Sequence, residues 1–301
     1  MFSSNSKELK VLSFSGGAEK GEFSIRIAKA LNDKLKIINS NKELVEYFHV
    51  ITGNSIGSIL SSCLIIPSDK NKNKPKHSLD ECIKIFDNDL HNINSNIGLK
   101  DKIKLFLNLK NHILTKKDVD FIHKMCGNTK LSETVVPVVI TSTNALNAQP
   151  RLWSSYDAKN DPKKDFYLKD AIEASISYPG LFNSKKTIFK GDIYHDFDGG
   201  LIAATPLITA LPHILKNNNK YAKDKAVVVS VGTTTGNTSN ILHEIDNSSF
   251  EKNIYNIYLL SSQIQKIPFD SLFKTFIPNY YKLDFMIPQN IQHSIYFKAS
   301  K

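Results

Sequence analysis

Gly53-Asn54-Ser55-Ile56-Gly57 is the stretch of this 301-residue chain that decides the fold. The run before it, residues 47–51, is apolar, aromatic and β-branched, which predicts a buried strand. The run after it, residues 56–64, consists of small and apolar residues and predicts a helix. A serine between two glycines at such a turn is typical of a nucleophile elbow, where the serine backbone is strained and its hydroxyl is exposed. A Gly-Ser turn without chemistry is the alternative, and the flanking strand and helix favour the elbow.

A second glycine-rich turn lies upstream, between a strand predicted over 10–14 and a helix predicted over 23–35. The turn reads Ser15-Gly16-Gly17-Ala18-Glu19-Lys20-Gly21, and its backbone N–H groups suit a phosphate or an oxyanion. A tight packing turn is the alternative. The nucleotide motifs do not fit: a P-loop needs Gly-Lys-Ser/Thr where Gly21-Glu22-Phe23 stand, and a dinucleotide fingerprint needs glycine at position 18.

The rest of the chain alternates strand and helix patterns, which predicts an α/β fold with a central, largely parallel sheet. Strands are predicted over 135–143, 194–198 and 226–232, with a possible pairing segment at 152–156, and helices over 167–175 and 250–267. Residues 67–130 form a predicted helical insertion, either a lid or structural cover. In it one helix face is predicted from Leu79, Cys82, Ile83 and Phe86, and further helices are predicted over 97–114 and 119–125. We expect a single domain over 1–301, with its motifs in 11–235. The tail over 236–301 is helical, then aromatic and irregular, and we expect it to pack on the body rather than touch lipid.

Composition narrows the classes of function. The formal net charge is +10 at pH 7, but much of the lysine lies in asparagine-rich loops at 69–76 and 216–225. No basic stripe is interleaved with aromatic residues, so we expect no nucleic-acid partner. Three scattered cysteines show neither a disulfide framework nor metal spacing, which favours a reducing compartment. The start of the chain has no apolar signal core and no stretch is long enough to span a bilayer, so we expect a cytoplasmic protein, peripheral at membranes.

Taken together, these segments resemble the patatin-like phospholipase family, in its bacterial type. Residues 15–21 are similar to its oxyanion loop, 53–57 to its elbow, and Asp198-Gly199-Gly200 to its acid motif. Ala174–Phe182 resembles the segment before that aspartate, and Val229–Thr233 the strand end after it. The resemblance runs from about Val11 to Thr235 and implies a three-layer α/β/α fold.

The oxyanion loop departs from the family pattern at three positions. Ser15 replaces an aspartate, Ala18 a glycine and Lys20 an arginine. The alanine keeps its backbone N–H but excludes some positive-φ conformations, and the lysine keeps its charge but loses the bidentate fork. These substitutions put the rate in question more than the type of reaction.

A nucleophilic serine needs a base. His195 is the histidine nearest a motif, but on a strand it alternates with Asp196 and Asp198 and should face away from both. A Ser55–Asp198 dyad is therefore the better hypothesis, and the resemblance implies it too. A metal site built from Asp192, His195, Asp196 and Asp198 is not expected, because the acids lack EF-hand spacing and no second histidine stands at zinc distance, and we expect no cofactor.

The other predicted site residues come from the two loops and the glycines. The amides of Gly16, Gly17 and Ala18 are the predicted oxyanion donors. Lys20 has two interpretations, binding of a substrate phosphate or pairing with an acid that orders the loop. The supporting glycines of the motifs are Gly21, Gly53, Gly57, Gly199 and Gly200.

The resemblance implies a phospholipase A-type lipid acyl hydrolase, which releases fatty acids through an acyl-enzyme at a phospholipid membrane surface. A catalytically silent module that binds a membrane or a protein is the second hypothesis, motivated by the three loop substitutions. Acyl transfer to an alcohol is a third, because it uses the same acyl-enzyme. Some bacterial toxins of the family act inside host cells with a host protein activator. The basic charge and the lack of a signal peptide fit that secreted setting and an ordinary cytoplasmic one equally.

Overall fold

The computed structural model describes residues 8–17, 21–87, 116–179, 183–221, 225–232, 264–265 and 268–284, in which eight strands form one sheet with helices on both faces. The strands are β1 Lys10–Phe14, β2 Val50–Asn54, β3 Val138–Asn144, β4 Pro150–Ser154, β5 Lys185–Phe189, β6 Asp192–Asp198, β7 Val227–Val231 and β8 Asn279–Leu283. The helices are α1 Gly21–Ile38, α2 Ile56–Cys63, α3 Leu79–Ile85, α4 Lys116–Cys126, α5 Ser155–Asn160, α6 Leu168–Ile176, α7 Leu207–Asn217 and α8 268–276.

The centre of the sheet is parallel, in the order β8-β7-β1-β2-β3, and an antiparallel arm of β4, β5 and β6 is attached to β3. Thr143 pairs with Pro150 of β4 and also with Phe197 of β6, so these two strands lie on opposite edges of β3. Strand β6 therefore occupies the edge that β2 shares, just beyond the end of β2. This placement brings the end of β6 to the end of β2.

The two faces of the sheet carry separate apolar cores, as strand alternation requires. Leu12 and Ile51 pack on one face with helices α1, α2, α3, α4 and α6. Val11 and Val50, one residue earlier in each strand, pack on the other face with α7 and α8. The predicted three-layer α/β/α architecture is therefore confirmed. Within the residues that the structure covers, no helix combines the length and the apolar character needed to cross a bilayer.

The predicted strand at 47–51 begins three residues too early. Residues Leu44–Tyr47 form a single 3₁₀ turn, and β2 begins at Val50. Glu43 and Glu46 hold this turn, because the backbone N–H of Glu43 donates to Glu46 Oε2 at 2.9 Å. Local capping thus overrides the strand propensity of the aromatic residues.

The insertion supplies helices to the first core. Leu79, Cys82, Ile83 and Phe86 are all buried there, which confirms the predicted apolar face of α3. Cys82 Sγ lies 2.7 Å from Cys63 Sγ on α2, and all three cysteines are buried and free. The helix predicted over 97–114 falls outside the described residues, so the lid remains a hypothesis. The described part of the insertion is structural cover.

The prediction of an irregular tail is wrong for residues 279–283, which form edge strand β8 parallel to β7. Tyr280 is only 8% exposed and its ring packs on Phe273 of α8, with centroids 5.5 Å apart. Lys282 binds Asp270 of α8 in an ion pair, which ties strand and helix together. The aromatic positions 285 and 296, and residues 250–263 of the predicted helix, fall outside the described ranges.

We predict that Gly57→Ala lowers the free energy of unfolding by about 1–3 kcal/mol. Helix α2 lies so close to β1 that a Cβ on Gly57 would stand 2.2 Å from the backbone oxygen of Phe14. Urea denaturation measures the loss. Gly127→Asn is the control: an added Cβ meets no described atom within 4 Å, and φ of +55° suits asparagine, so its change should stay within about 0.5 kcal/mol. An equal loss in both variants would contradict the steric argument.

Candidate active site

Ser55 connects β2 to α2 in a strained backbone conformation, with φ of 51° and ψ of −131°. Positive φ is rare for a residue with a side chain and persists only where the surroundings enforce it. The turn is tight because Gly53 and Gly57 have no side chains: a Cβ on Gly53 would lie 2.4 Å from the Gly57 oxygen. This is the conformation that the elbow pattern predicts.

Two serines hold the strained residue through its backbone. Ser175 Oγ accepts the N–H of Ser55 at 2.9 Å and donates to the Thr141 oxygen at 2.8 Å. The N–H and Oγ of Ser58 both donate to the Ser55 oxygen, at 2.9 and 2.6 Å. Ser175 lies in the segment that resembles the family motif before Asp198, but the role of neither serine could be predicted, because their partners are close only in the folded chain.

The side chains of Ser55 and Asp198 lie in contact, although 143 residues separate them in sequence. Ser55 Oγ donates to Asp198 Oδ2 at 2.7 Å. The other carboxylate oxygen, Oδ1, accepts the N–H of Gly200 at 2.6 Å, and Thr143 Oγ1 donates to the backbone oxygen of Asp198. Asp198 thus has one oxygen fixed by the turn and the other directed at the serine.

Burial raises the pKa of Asp198 to about 6, against the hydrogen bonds from Ser55 and Gly200, which lower it. The residue is 2% exposed, so the ionised form has lost most of its hydration. The pKa of Tyr178 is raised by burial first and by the charge of Asp198 second, so that phenol stays protonated beside the acid. At neutral pH the carboxylate is ionised and more basic than an exposed one.

The neighbouring residues of β6 serve other contacts. Asp196 is buried and binds Arg151 Nε at 2.7 Å and Ser142 Oγ at 2.9 Å, and burial raises its pKa against the effect of Arg151. The Nδ1 atom of His195 lies 3.5 Å from Ser184 Oγ. Within the described ranges, no group of three or more His, Cys, Asp or Glu side chains is placed to hold a metal ion.

The glycine loop after β1 lies directly against the nucleophile. A Cβ on Gly16 would stand 2.9 Å from Ser55 Cβ. The Gly16 N–H, however, donates to Asn54 Oδ1 at 2.7 Å, so the prediction that this amide is an oxyanion donor needs correction. Gly17 follows it in the described part of the loop, whereas Ala18 and Lys20 lie outside the described residues.

Two further motif glycines lie where the chain passes close to a neighbour. A Cβ would stand 2.3 Å from Ile56 Cγ1 at Gly21, and 2.2 Å from the Thr141 oxygen at Gly199. The lack of a side chain at these two positions lets the predicted site segments pack closely, at Gly21 against the elbow and at Gly199 against β3. With Gly200 bonded to Asp198, these glycines lie around the same point as Ser55.

A sequence model of patatin-like phospholipases matches residues 12–211, two thirds of the chain, including Ser55 and Asp198. The chain belongs to the patatin-like phospholipase family. Members of this family are lipid acyl hydrolases. The Asp-Gly-Gly turn and the elbow thus lie inside the region that defines the family, while strands β7 and β8 and helix α8 lie beyond it.

Curated patatin-like relatives include plant proteins. Patatin-like protein 2 of Arabidopsis thaliana is 30% identical over 246 residues, covering 74% of this chain and 59% of that protein. Patatin-like protein 2 of Oryza sativa subsp. indica is 26% identical over 222 residues, covering 70% and 54%. The chain therefore spans between about half and 60% of these patatin-like proteins.

Two solved structures are similar at low identity. VipD from Legionella pneumophila is 15% identical with a TM-score of 0.40, covering 79% of this chain and 53% of that one. The type III effector protein ExoU is 13% identical with a TM-score of 0.33, covering 86% and 52%.

We predict that Asp198→Asn makes the protein more stable at about pH 8, by up to about 3 kcal/mol. The folded protein holds this carboxyl with a pKa of about 6 instead of the usual 3.8, so an ionised Asp198 destabilises the fold above pH 6. The gain should shrink as pH falls from 6 towards 3.8, where the acid is protonated in both states. Urea denaturation of both proteins across this range measures it.

Asp192→Asn is the control, because this acid is exposed on the same strand and its loss removes the same charge. It should leave stability nearly unchanged at every pH. A loss of stability in Asp198→Asn at about pH 8 would show that burial does not penalise the ionised acid.

Proposed function

We propose that this chain is a phospholipase A-type lipid acyl hydrolase, with Ser55 as nucleophile and Asp198 as general base. The single observation that carries the proposal is the hydrogen bond from Ser55 Oγ to Asp198 Oδ2, 2.7 Å long. Membership of the patatin-like phospholipase family supports the reaction type. The pKa of about 6 supports the role of the acid, since a base works best with a pKa near the working pH.

In the first half of the reaction, Ser55 Oγ attacks the carbonyl carbon of an acyl ester while its proton passes to Asp198 Oδ2. The tetrahedral intermediate then expels the lysolipid alkoxide, which takes that proton. The products are a lysolipid and an acyl ester on Ser55. The bond from Gly200 to Oδ1 keeps the carboxylate from rotating during this transfer.

In the second half, a water molecule takes the place of the lysolipid and Asp198 accepts its proton as it attacks the acyl-enzyme. The second intermediate collapses, the fatty acid leaves, and the proton returns to Ser55 Oγ. The same carboxylate thus acts as base and acid in turn, and no histidine takes part. The strained φ of Ser55 holds Oγ at the tip of the turn for both attacks.

The negative oxygen that develops in both steps needs donors, and we propose the amides of Gly17 and Ala18. The contacts of Gly16 with Asn54 and Ser55 hold the loop beside the nucleophile. The amides of Gly17 and Ala18 are the next two along the chain. One such donor is typically worth about 3 kcal/mol of transition-state stabilisation. In this proposal the substrate is a phospholipid at a membrane surface, with Lys20 as the partner of its phosphate.

We predict that Ser55→Ala abolishes fatty-acid release from mixed phospholipid vesicles, because no other group carries the acyl chain. Mass spectrometry of the products measures this release and also identifies the head group and the ester position of the cleaved phospholipid. A fluorophosphonate probe should label the wild type at Ser55 and leave the variant unlabelled. Ser61→Ala is the control, since this buried hydroxyl of the same helix donates to Ser58 and should be dispensable.

Three other results would each contradict a part of the proposed function. Full release by Ser55→Ala would remove the serine mechanism. A folded wild type with neither label nor product would favour the silent module that the loop substitutions motivate. Acyl esters of an added alcohol, formed in preference to free fatty acid, would favour the transferase.

We predict that kcat/KM on a soluble acyl ester falls as pH falls, with a midpoint near 6. Only the ionised form of Asp198 accepts the serine proton, so protonation below that pH stops the reaction. Steady-state rates from about pH 4 to about pH 9 test this. The His195→Gln variant should show the same fall in kcat/KM at low pH. Loss of this pH dependence in the variant would reassign the role of base to the histidine.

A further inference from the structure

Asn54 is the residue before the nucleophile and the last residue of β2. The elbow pattern leaves this position open, so the pattern alone gives its side chain no role. The structure buries it completely. A buried amide is costly unless both of its ends are bonded, so its partners indicate why it stands there.

Both ends of the Asn54 amide bond to backbone, and each partner belongs to a different loop of the site. Oδ1 accepts the N–H of Gly16 at 2.7 Å, in the loop after β1. Nδ2 donates to the oxygen of Ala203 at 2.8 Å, in the turn that follows the Asp-Gly-Gly motif. These partners lie 38 and 149 residues away in sequence. One side chain therefore joins the glycine loop to the acid turn, beside the nucleophile.

We propose that Asn54 is a positioning residue that sets the oxyanion loop in register with the Ser55–Asp198 pair. The inference rests on the proposed function, because it concerns the same reaction. A carboxamide suits this place because it offers one acceptor and two donors in a fixed plane. Aspartate keeps the acceptor for Gly16 but presents an oxygen to the Ala203 carbonyl, and leucine keeps the volume while satisfying neither loop.

The Gly16 bond matters because this loop contacts the nucleophile. An added Cβ on Gly16 would stand 2.9 Å from Ser55 Cβ, so the loop has almost no room to shift towards the serine. Loss of the bond to Asn54 removes one of the contacts that hold this loop, and a shift of Gly16 away from the serine would carry the amide of Gly17 with it. Oxyanion donors act on charge that exists only in the transition state, so a displaced donor lowers kcat and leaves KM nearly unchanged.

The decisive experiment compares Asn54→Leu and Asn54→Asp with Asn218→Leu. Asn218 is the control: it is a buried asparagine outside the site, and its Nδ2 donates two hydrogen bonds, to Tyr156 Oη at 2.7 Å and to the Ile214 oxygen at 2.8 Å. We expect Asn54→Leu to lower kcat roughly 10–100-fold, with KM within about twofold, and to slow fluorophosphonate labelling of Ser55. Asn54→Asp, which retains one bond, should lose less. Asn218→Leu should lose comparable stability and keep its kcat.

Hydrogen exchange of the Gly16 amide gives a readout that needs no activity. It should be protected in the wild type, exchange faster in Asn54→Leu and stay protected in Asn218→Leu and Asn54→Asp. An Asn54→Leu enzyme with wild-type kcat, or a loss of kcat no larger than that of Asn218→Leu, would overturn the inference. So would unchanged Gly16 protection. A wild type that cleaves no ester would overturn the proposed function instead, while hydrogen exchange would still test whether Asn54 holds the loop at Gly16.

Discussion

An ionised carboxylate buried beside a hydroxyl is the constraint on which the site depends. Water would stabilise Asp198 but would also lower its basicity, and the fold replaces water with two directed hydrogen bonds, from Gly200 and Ser55. The resulting pKa near 6 leaves the group charged at neutral pH and still able to accept a proton. The fold thus carries a cost in stability at this point, which packing elsewhere in the two cores offsets.

The topology of the sheet explains how this arrangement forms. Strand β6 pairs with β3 beyond the end of β2, so Ser142 lies opposite Asp198 one position after Thr141 lies opposite Asn54. The acid therefore arrives at the level of Ser55 from the opposite direction. A wholly parallel sheet would place its strand ends side by side, whereas here the ends of β2 and β6 meet nearly head to head.

The elements whose signals are local could be predicted from the sequence. The elbow and the Asp-Gly-Gly turn are each specified by a few adjacent residues, since close backbone approach requires glycine there. The first strand is specified by its short apolar run. The contacts of Asn54 and Ser175 could not be predicted, because each depends on a backbone group far away in sequence. Strand β8 was missed because its aromatic run at a sheet edge, partly exposed, shows no clear apolar alternation. The hydrogen bond from the Gly16 N–H to Asn54 was not predicted, because Asn54 occupies a variable position of the elbow pattern.

The separation of 143 residues between Ser55 and Asp198 has a consequence for biosynthesis. The ribosome adds Ser55 long before its partner Asp198, and the contact between the two side chains requires the antiparallel arm to pair with β3. On the proposed mechanism, nascent and partly unfolded chains cannot cleave lipid. If that mechanism holds, completion of the fold would itself safeguard the membranes of the cell that makes the protein.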